Sequence, residues 1–226
     1  MGGSRFTGLP GNAEEYGFDR IRKLEGNALE GKRVCVLGSS VAKGAMSCDH
    51  SIAEYLAARL GCRTVKSAVN STTLADVMPE SYIQRLHGLD RSMELDLFLC
   101  QLSTNDAKRG IPLGEIGSGG LTIITGAIEH IITYVRETWG CPVVFFTGSR
   151  YESAPYAAMV RRLREIRDLY RIGMIDLWAD DAFNTLPEEK RALYMYDGIH
   201  PTMAGYRDWW GPELERQLLE YITEQV

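Results

Sequence analysis

Short apolar runs alternate with longer amphipathic segments along this chain. Each run has the length of a strand, an apolar or β-branched composition, and Gly or Pro near its boundaries. Near-continuous apolar runs of this kind are typical of parallel strands that are covered on both faces. The predicted strands are residues 33–38, 63–67, 95–102, 142–147 and 172–177.

The segments between the runs have helical periodicity. Asp49 is predicted to cap a helix over residues 50–60, and Gly61 is predicted to end it. The last helix is expected to be interrupted near Gly211 and Pro212, because proline cannot continue the hydrogen-bond ladder. The other predicted helices are residues 123–137, 160–169 and 203–223.

The alternation of strands and helices predicts right-handed crossovers and a parallel sheet. The expected fold is α/β, a three-layer α/β/α sandwich whose flavodoxin-like five-stranded sheet has the order 2-1-3-4-5. Residues 1–31 are expected to be an N-terminal extension that packs on a domain over residues 32–226. The longest irregular segment, residues 103–120, is rich in Gly and has the length of a functional loop.

Composition and charge exclude several classes of protein. Of 226 residues, 45% are hydrophobic and 24% are charged, and the net charge of −5 argues against a nucleic-acid binder. No segment approaches the ~20 apolar residues that span a bilayer. Five scattered cysteines and the lack of an apolar leader predict a cytoplasmic protein without disulfides. Cys48 and His50 are too few to predict a metal site, so none is expected.

Polar residues that follow the strands are the candidates for chemistry, because ligands of open α/β sheets bind beyond the carboxyl ends of the strands. Ser40 follows the first strand in a turn flanked by glycines. Asn105 follows the third strand, and its amide can donate to a developing oxyanion. Asp197 lies three residues before His200, so one local turn can hold a general-base imidazole and the carboxylate that orients it.

Each of these motifs, taken alone, also fits an ordinary structural role. Serine and asparagine cap helices and turns, and His200 fits a surface histidine. The sequence around Ser40 matches neither the glycine-rich phosphate-binding pattern nor the glycine-rich dinucleotide-binding pattern. The nucleophile pattern Gly-x-Ser-x-Gly also fails there, because residue 42 is alanine.

The order and spacing of the motifs resemble those of the SGNH (GDSL-like) hydrolases, from about Lys32 to about Gly211. The family implies a flavodoxin-like fold, hydrolysis of esters or thioesters, and no metal or organic cofactor. It also implies a role for each matching residue: Ser40 as nucleophile and amide donor, His200 as general base and acid, Asp197 as the residue that orients His200, and Asn105 as an oxyanion donor. The matching motifs are Gly38-Ser39-Ser40, Ser103-Thr104-Asn105-Asp106 and Asp197-Gly198-Ile199-His200-Pro201.

Two residues depart from the family pattern. The first motif usually reads Gly-Asp-Ser, so Ser39 is a rival nucleophile next to Ser40. Ser71 falls where the family has a glycine whose amide donates to the oxyanion. Its amide can still donate, but its side chain is expected either to narrow the acyl site, which favours a short acyl group, or to conflict with a positive φ.

The predicted function is hydrolysis of a small-molecule carboxylic ester, such as an acetyl ester, through an acyl-enzyme intermediate. Tyr151, Tyr194 and Tyr196 are candidates for lining the substrate pocket. Three alternatives stay open: an acyltransferase that uses the same site, an inactive member of the fold that binds a sugar or acyl ligand, and a flavodoxin-like nucleotide or flavin binder. The sequence predicts no oligomeric state.

Overall fold

A computed structural model describes residues 6–224 and contains a five-stranded sheet in the order β2-β1-β3-β4-β5. Every pair of neighbouring strands is parallel. The predicted sheet, its strand order and the α/β class are therefore confirmed. The strands are β1 (Arg33–Gly38), β2 (Arg63–Ala68), β3 (Leu97–Gln101), β4 (Val143–Phe146) and β5 (Gly173–Ile175).

Helices connect the strands and cover both faces of the sheet. The first five are α1 (Ser40–Lys43), α2 (Ile52–Leu60), α3 (Tyr82–His87), α4 (Thr104–Arg109) and α5 (Ile124–Trp139). The next five are α6 (Ala154–Tyr170), α7 (Asp181–Asn184), α8 (Glu188–Tyr194), α9 (Met203–Gly205) and α10 (Gly211–Glu224). The segment predicted as a loop after β3 thus begins as helix α4, with Ser103 as its N-cap. Within residues 6–224, every helix is too short or too polar to span a membrane.

Helix α2 begins later than predicted. Ser51, not Asp49, is its N-cap, and Ser51 forms a reciprocal capping box with Glu54. Asp49 lies outside the helix with a φ of 62°. The prediction of Asp49 as cap was wrong because the capping box satisfies two backbone donors at once. Gly61 ends the helix as predicted, in the left-handed conformation.

The last helical stretch is interrupted next to Pro212, as predicted. A wide turn of π-helix over Tyr206–Trp210 separates α9 from α10. At Gly211 a Cβ atom would lie 2.4 Å from a ring carbon of Tyr55, so glycine permits the close packing of α10 on α2.

The side chains of each strand alternate between two cores, one on each face of the sheet. In β1, Cys35 and Leu37 pack with α3, α5 and α6, whereas Val34 and Val36 pack with α2 and α10. This alternation gives the three layers of the sandwich and explains why the central strands are apolar throughout.

Residues 6–31 form an irregular segment that packs on the core containing Val34 and Val36. The segment includes three short 3-10 turns, Pro10–Asn12, Glu14–Tyr16 and Phe18–Arg20. Phe18 and Leu29 from this segment are buried in that core. The division into an extension over residues 1–31 and a domain over 32–226 stays a prediction. Residues 1–5 and 225–226 lie outside the described part of the chain.

Candidate active site

Ser40, His200 and Asp197 form one hydrogen-bonded chain at the carboxyl end of the sheet. Ser40 Oγ lies 2.8 Å from His200 Nε2. His200 Nδ1 lies 2.9 Å and 3.1 Å from the two carboxylate oxygens of Asp197. An ionised carboxylate only accepts hydrogen bonds, so Nδ1 carries the ring proton and the Nε2 lone pair faces the Ser40 hydroxyl.

The turn from Asp197 to His200 keeps the carboxylate ionised. Asp197 Oδ1 accepts the backbone N–H groups of Ile199 and His200, each over 2.7 Å. Burial of Asp197 opposes its ionisation, but these bonds and the one from the His200 ring outweigh it and lower the pKa of Asp197 to about 2. The side chain that orients His200 is therefore negatively charged at any pH near neutrality.

The two serines after β1 point in different directions. Ser39 is fully buried, and its Oγ accepts a hydrogen bond from the Gln101 side-chain amide over 3.3 Å. Gln101 Oε1 also accepts the backbone N–H groups of Ser39 and Ala42. Gln101 therefore pins the turn that presents Ser40 to His200, and it holds the Ser39 hydroxyl away from that histidine.

Asn105 lies at the start of α4, one strand away from Ser40. Its Nδ2 donates to the Thr72 carbonyl over 2.9 Å, and its backbone N–H donates to Ser103 Oγ. A side-chain amide has two N–H groups, so the bond to Thr72 fixes the amide and leaves the second N–H as a donor.

Ser71 adopts the left-handed conformation, with a φ of 64°. This is the positive φ with which a side chain at this position was expected to conflict. The side chain of Ser71 is exposed, so it leaves the pocket beside Ser40 unobstructed. The loop after Ser71 is anchored by the buried carboxylate of Asp106, which accepts the backbone N–H groups of Leu74 and Ala75 over 2.7 Å and 2.9 Å. The helix that carries Asn105 therefore also positions the loop that carries Ser71.

Arg85, in α3, contacts the loop that carries Ser71 and the strand ends next to it. Its guanidinium donates to the Gly38 carbonyl over 2.7 Å and to Thr72 Oγ1 over 3.3 Å, and it also contacts Ser67. Burial lowers the pKa of Arg85. Arg85 thereby joins the end of β1, the end of β2 and the Ser71 loop.

Asn12 connects the two segments that carry Ser40 and His200. Its side chain is buried, and Nδ2 donates to the carbonyls of Phe6 and Met46, each over 2.8 Å. Its Oδ1 accepts the backbone N–H of Met203, also over 2.8 Å. Met46 follows α1, which begins at Ser40, and Met203 follows His200. One buried side chain thus fixes the spacing between these two segments.

A narrow pocket, with room for a group about the size of one water molecule, is lined by Val41, the residue after Ser40, and by Ile199, the residue before His200. Of the three candidate tyrosines, Tyr151 lines this pocket, whereas Tyr194 and Tyr196 lie elsewhere. Tyr194 stacks on Trp209, and Tyr196 packs edge-on against Phe6. The pocket is lined by Val41, Gln101, Leu102, Thr104, Phe146, Gly148, Ser149, Tyr151, Tyr156 and Ile199.

Cys48 and His50 make local contacts. His50 Nδ1 lies 3.0 Å from the carbonyl of Cys48, and its ring packs edge-on against Phe18. Within residues 6–224, no three or more His, Cys, Asp or Glu side chains cluster as metal ligands would.

Sequence reasoning missed three supporting residues. Gln101 had a signal, because it is a polar residue inside an otherwise apolar strand. Arg85 and Asn12 had none. The partners of Asn12 lie 6, 34 and 191 residues away along the chain, so only the folded structure brings them together.

Comparison with known proteins identifies the family. A solved structure of 27% sequence identity covers 88% of this chain and 99% of its own, with a TM-score of 0.70. A protein from Lactobacillus plantarum is 20% identical, with coverages of 87% and 99% and a TM-score of 0.70. A member of the lipolytic protein G-D-S-L family from Veillonella parvula is 13% identical, with coverages of 84% and 98% and a TM-score of 0.60.

No curated protein sequence matches the chain. The model of one family does match, over residues 36–207, which include Ser40, Asn105, Asp197 and His200. This match spans most of the chain and agrees with the resemblance that the three motifs indicate. The chain belongs to the GDSL-like Lipase/Acylhydrolase family.

Proposed function

We propose that this protein is a serine esterase that cleaves short-chain carboxylic esters through an acyl-enzyme formed on Ser40. The observation that carries the proposal is the 2.8 Å contact between Ser40 Oγ and His200 Nε2, with Asp197 on the other ring nitrogen. This arrangement supplies a nucleophile, a base and the group that orients the base.

The reaction follows from these contacts. Ser40 Oγ attacks the ester carbonyl carbon while its proton moves to His200 Nε2, and the carbonyl electrons move onto the oxygen. The C–O bond to the alcohol then breaks, and the alcohol leaves with the proton from His200. A water molecule, deprotonated by His200, attacks the acyl-enzyme and releases the acid and free Ser40.

The proposed oxyanion donors are the second N–H of Asn105 and the backbone amides of Ser40 and Ser71. The Asn105 amide is fixed in advance by Thr72, so it needs little reorientation when charge develops on the substrate oxygen. The left-handed backbone at Ser71 is one that glycine adopts freely, which fits the glycine usual at this position.

The narrow pocket supports a short acyl group. It lies between Val41, which follows Ser40, and Ile199, which precedes His200. Its size accommodates a methyl group and excludes a long chain, so among unsubstituted acyl groups acetyl fits best. The size of this pocket, and not the side chain of Ser71, supports the choice of acyl length.

A series of p-nitrophenyl esters from acetyl to octanoyl tests the proposal, with Ser40→Ala as the matched variant. We expect kcat/KM to be highest for acetyl and to fall steeply beyond propionyl, with turnover abolished in Ser40→Ala. Equal turnover by the variant would overturn the nucleophile, and a preference for octanoyl would overturn the acyl length. A competing alcohol added to the assay separates hydrolysis from acyl transfer, because a transferase yields the new ester.

A cytoplasmic location stays a prediction, supported by five cysteines that are all unpaired.

A further inference from the structure

Ser149 is the buried side chain of the pocket that the fold leaves without a partner. It follows β4, is only 2% exposed and lines the pocket beside Ser40. Within residues 6–224, its Oγ has no hydrogen-bond partner. A buried hydroxyl without a partner is costly, so such a group is retained where a ligand or water satisfies it.

Two of the other polar side chains of the pocket, Gln101 and Tyr156, are already engaged. Gln101 Oε1 accepts two backbone N–H groups, and its amide donates to Ser39. The Tyr156 hydroxyl donates to the Leu102 carbonyl and accepts the Gly148 N–H. Within the described residues, Ser149 is therefore the most deeply buried hydroxyl of the lining that has no hydrogen-bond partner in the protein.

Apolar side chains form much of the pocket around Ser149. Val41, Leu102 and Phe146 give it a wall of hydrocarbon, and Ile199 closes the side next to His200. Among residues 6–224, Tyr82, Trp139 and Trp210 also carry a buried polar atom without a hydrogen-bond partner, but they do not line the pocket. A buried hydroxyl without a partner, next to such a wall, distinguishes a polar group from a methyl group of the same size.

We propose that the pocket selects short esters of 2-hydroxy acids, with the Ser149 hydroxyl hydrogen-bonded to the substrate hydroxyl. This inference rests on the proposed esterase function and specifies its substrate class. The glycolyl group is the smallest such acyl group. It is nearly isosteric with propionyl, which has a methyl group in place of the hydroxyl, so the two differ mainly in hydrogen bonding.

The test compares ethyl glycolate with ethyl propionate by acid release at constant pH, in the wild type and in Ser149→Ala. The two esters differ in intrinsic reactivity, but this difference cancels when the ratio of their kcat/KM values is compared between the two proteins. We expect the glycolate-to-propionate ratio to fall about tenfold in Ser149→Ala, because the substrate hydroxyl loses its partner. Ser149→Cys, which keeps the size but donates weakly, should give an intermediate ratio.

An unchanged ratio in both variants overturns the inference and means that water, not substrate, satisfies Ser149. An equal loss on both esters also overturns it, because it assigns Ser149 a purely structural role. The melting temperature shows whether Ser149→Ala folds, and Ser149→Cys carries the test if it does not. Hydrolysis of ethyl acetate serves as the check on the proposed function. If the wild type hydrolyses none of ethyl acetate, ethyl propionate and ethyl glycolate, the esterase itself is refuted, whereas hydrolysis with an unchanged ratio refutes the Ser149 inference alone.

Discussion

The Asn105 side-chain amide donates to the Thr72 carbonyl over 2.9 Å, so it is held in place before any substrate arrives. We predict that Asn105→Ala lowers kcat for acetyl ester hydrolysis by about 100- to 1,000-fold with little change in KM, because the amide acts on the charged transition state. Steady-state kinetics check this. A variant that loses only stability, with kcat intact at low temperature, would remove Asn105 from the oxyanion site.

Asn12 is predicted to act as a positioning residue for the same site. Asn12→Ala should lower kcat about tenfold, because it releases the segments that carry Ser40 and His200 from each other. Asn27 offers a matched control. It also makes three hydrogen bonds, to Leu24, Leu60 and Leu29, but it lies towards the amino end of β1, opposite the site.

Both asparagine variants should lose about 1–3 kcal/mol of unfolding free energy, measured by urea unfolding. Only Asn12→Ala should also lose kcat. Asn12→Asp, which keeps an acceptor for Met203 but turns a carboxylate oxygen towards the carbonyls of Phe6 and Met46, should be at least as damaging as Asn12→Ala. If Asn27→Ala lowers kcat as much as Asn12→Ala, the effect is general destabilisation.

The left-handed backbone at Ser71 leads to a prediction about stability. Ser71→Gly should raise the unfolding free energy by up to about 1 kcal/mol, because glycine adopts a φ of 64° without strain. Ser71→Ala keeps the Cβ atom and should bring no gain. Since Ser71 is exposed and does not line the pocket, the preference between acetyl and butyryl esters should be the same in all three proteins. A shift towards butyryl in Ser71→Gly would place the side chain in the acyl site after all.

Asp197 makes stability depend on pH in acid. Its pKa is lowered from 3.8 to about 2 in the folded protein, so its contribution is complete above pH 4 and disappears as the pH falls through 2. The side chain is 43% exposed, and solvent screening reduces the expected contribution to about 1 kcal/mol. In urea unfolding, the free energy of unfolding of Asp197→Asn should fall less between pH 4 and pH 2 than that of the wild type, by about this amount. Asp19→Asn, a change at an exposed residue, should show the same fall as the wild type.

The sequence predicted the sheet because near-continuous apolar runs and glycine boundaries are local signals. It also predicted that Ser40 and Asn105 follow the neighbouring strands β1 and β3, whose carboxyl ends share one edge of the sheet. The prediction that Asp49 caps α2 was wrong, because the capping box formed by Ser51, two residues later, satisfies two backbone N–H donors. The roles of Asn12 and the partnerless hydroxyl of Ser149 could not be predicted, because both depend on atoms that come together only through packing.

The choice between Ser40 and Ser39 tests the account most directly. Ser40 faces His200, whereas Ser39 is buried and bonded to Gln101. A fluorophosphonate probe should label the wild type at Ser40, label Ser39→Ala at the same residue, and leave Ser40→Ala unlabelled, with mass spectrometry of peptides locating the adduct. Labelling of Ser40→Ala at Ser39, or no labelling of the folded wild type, would contradict the proposed nucleophile.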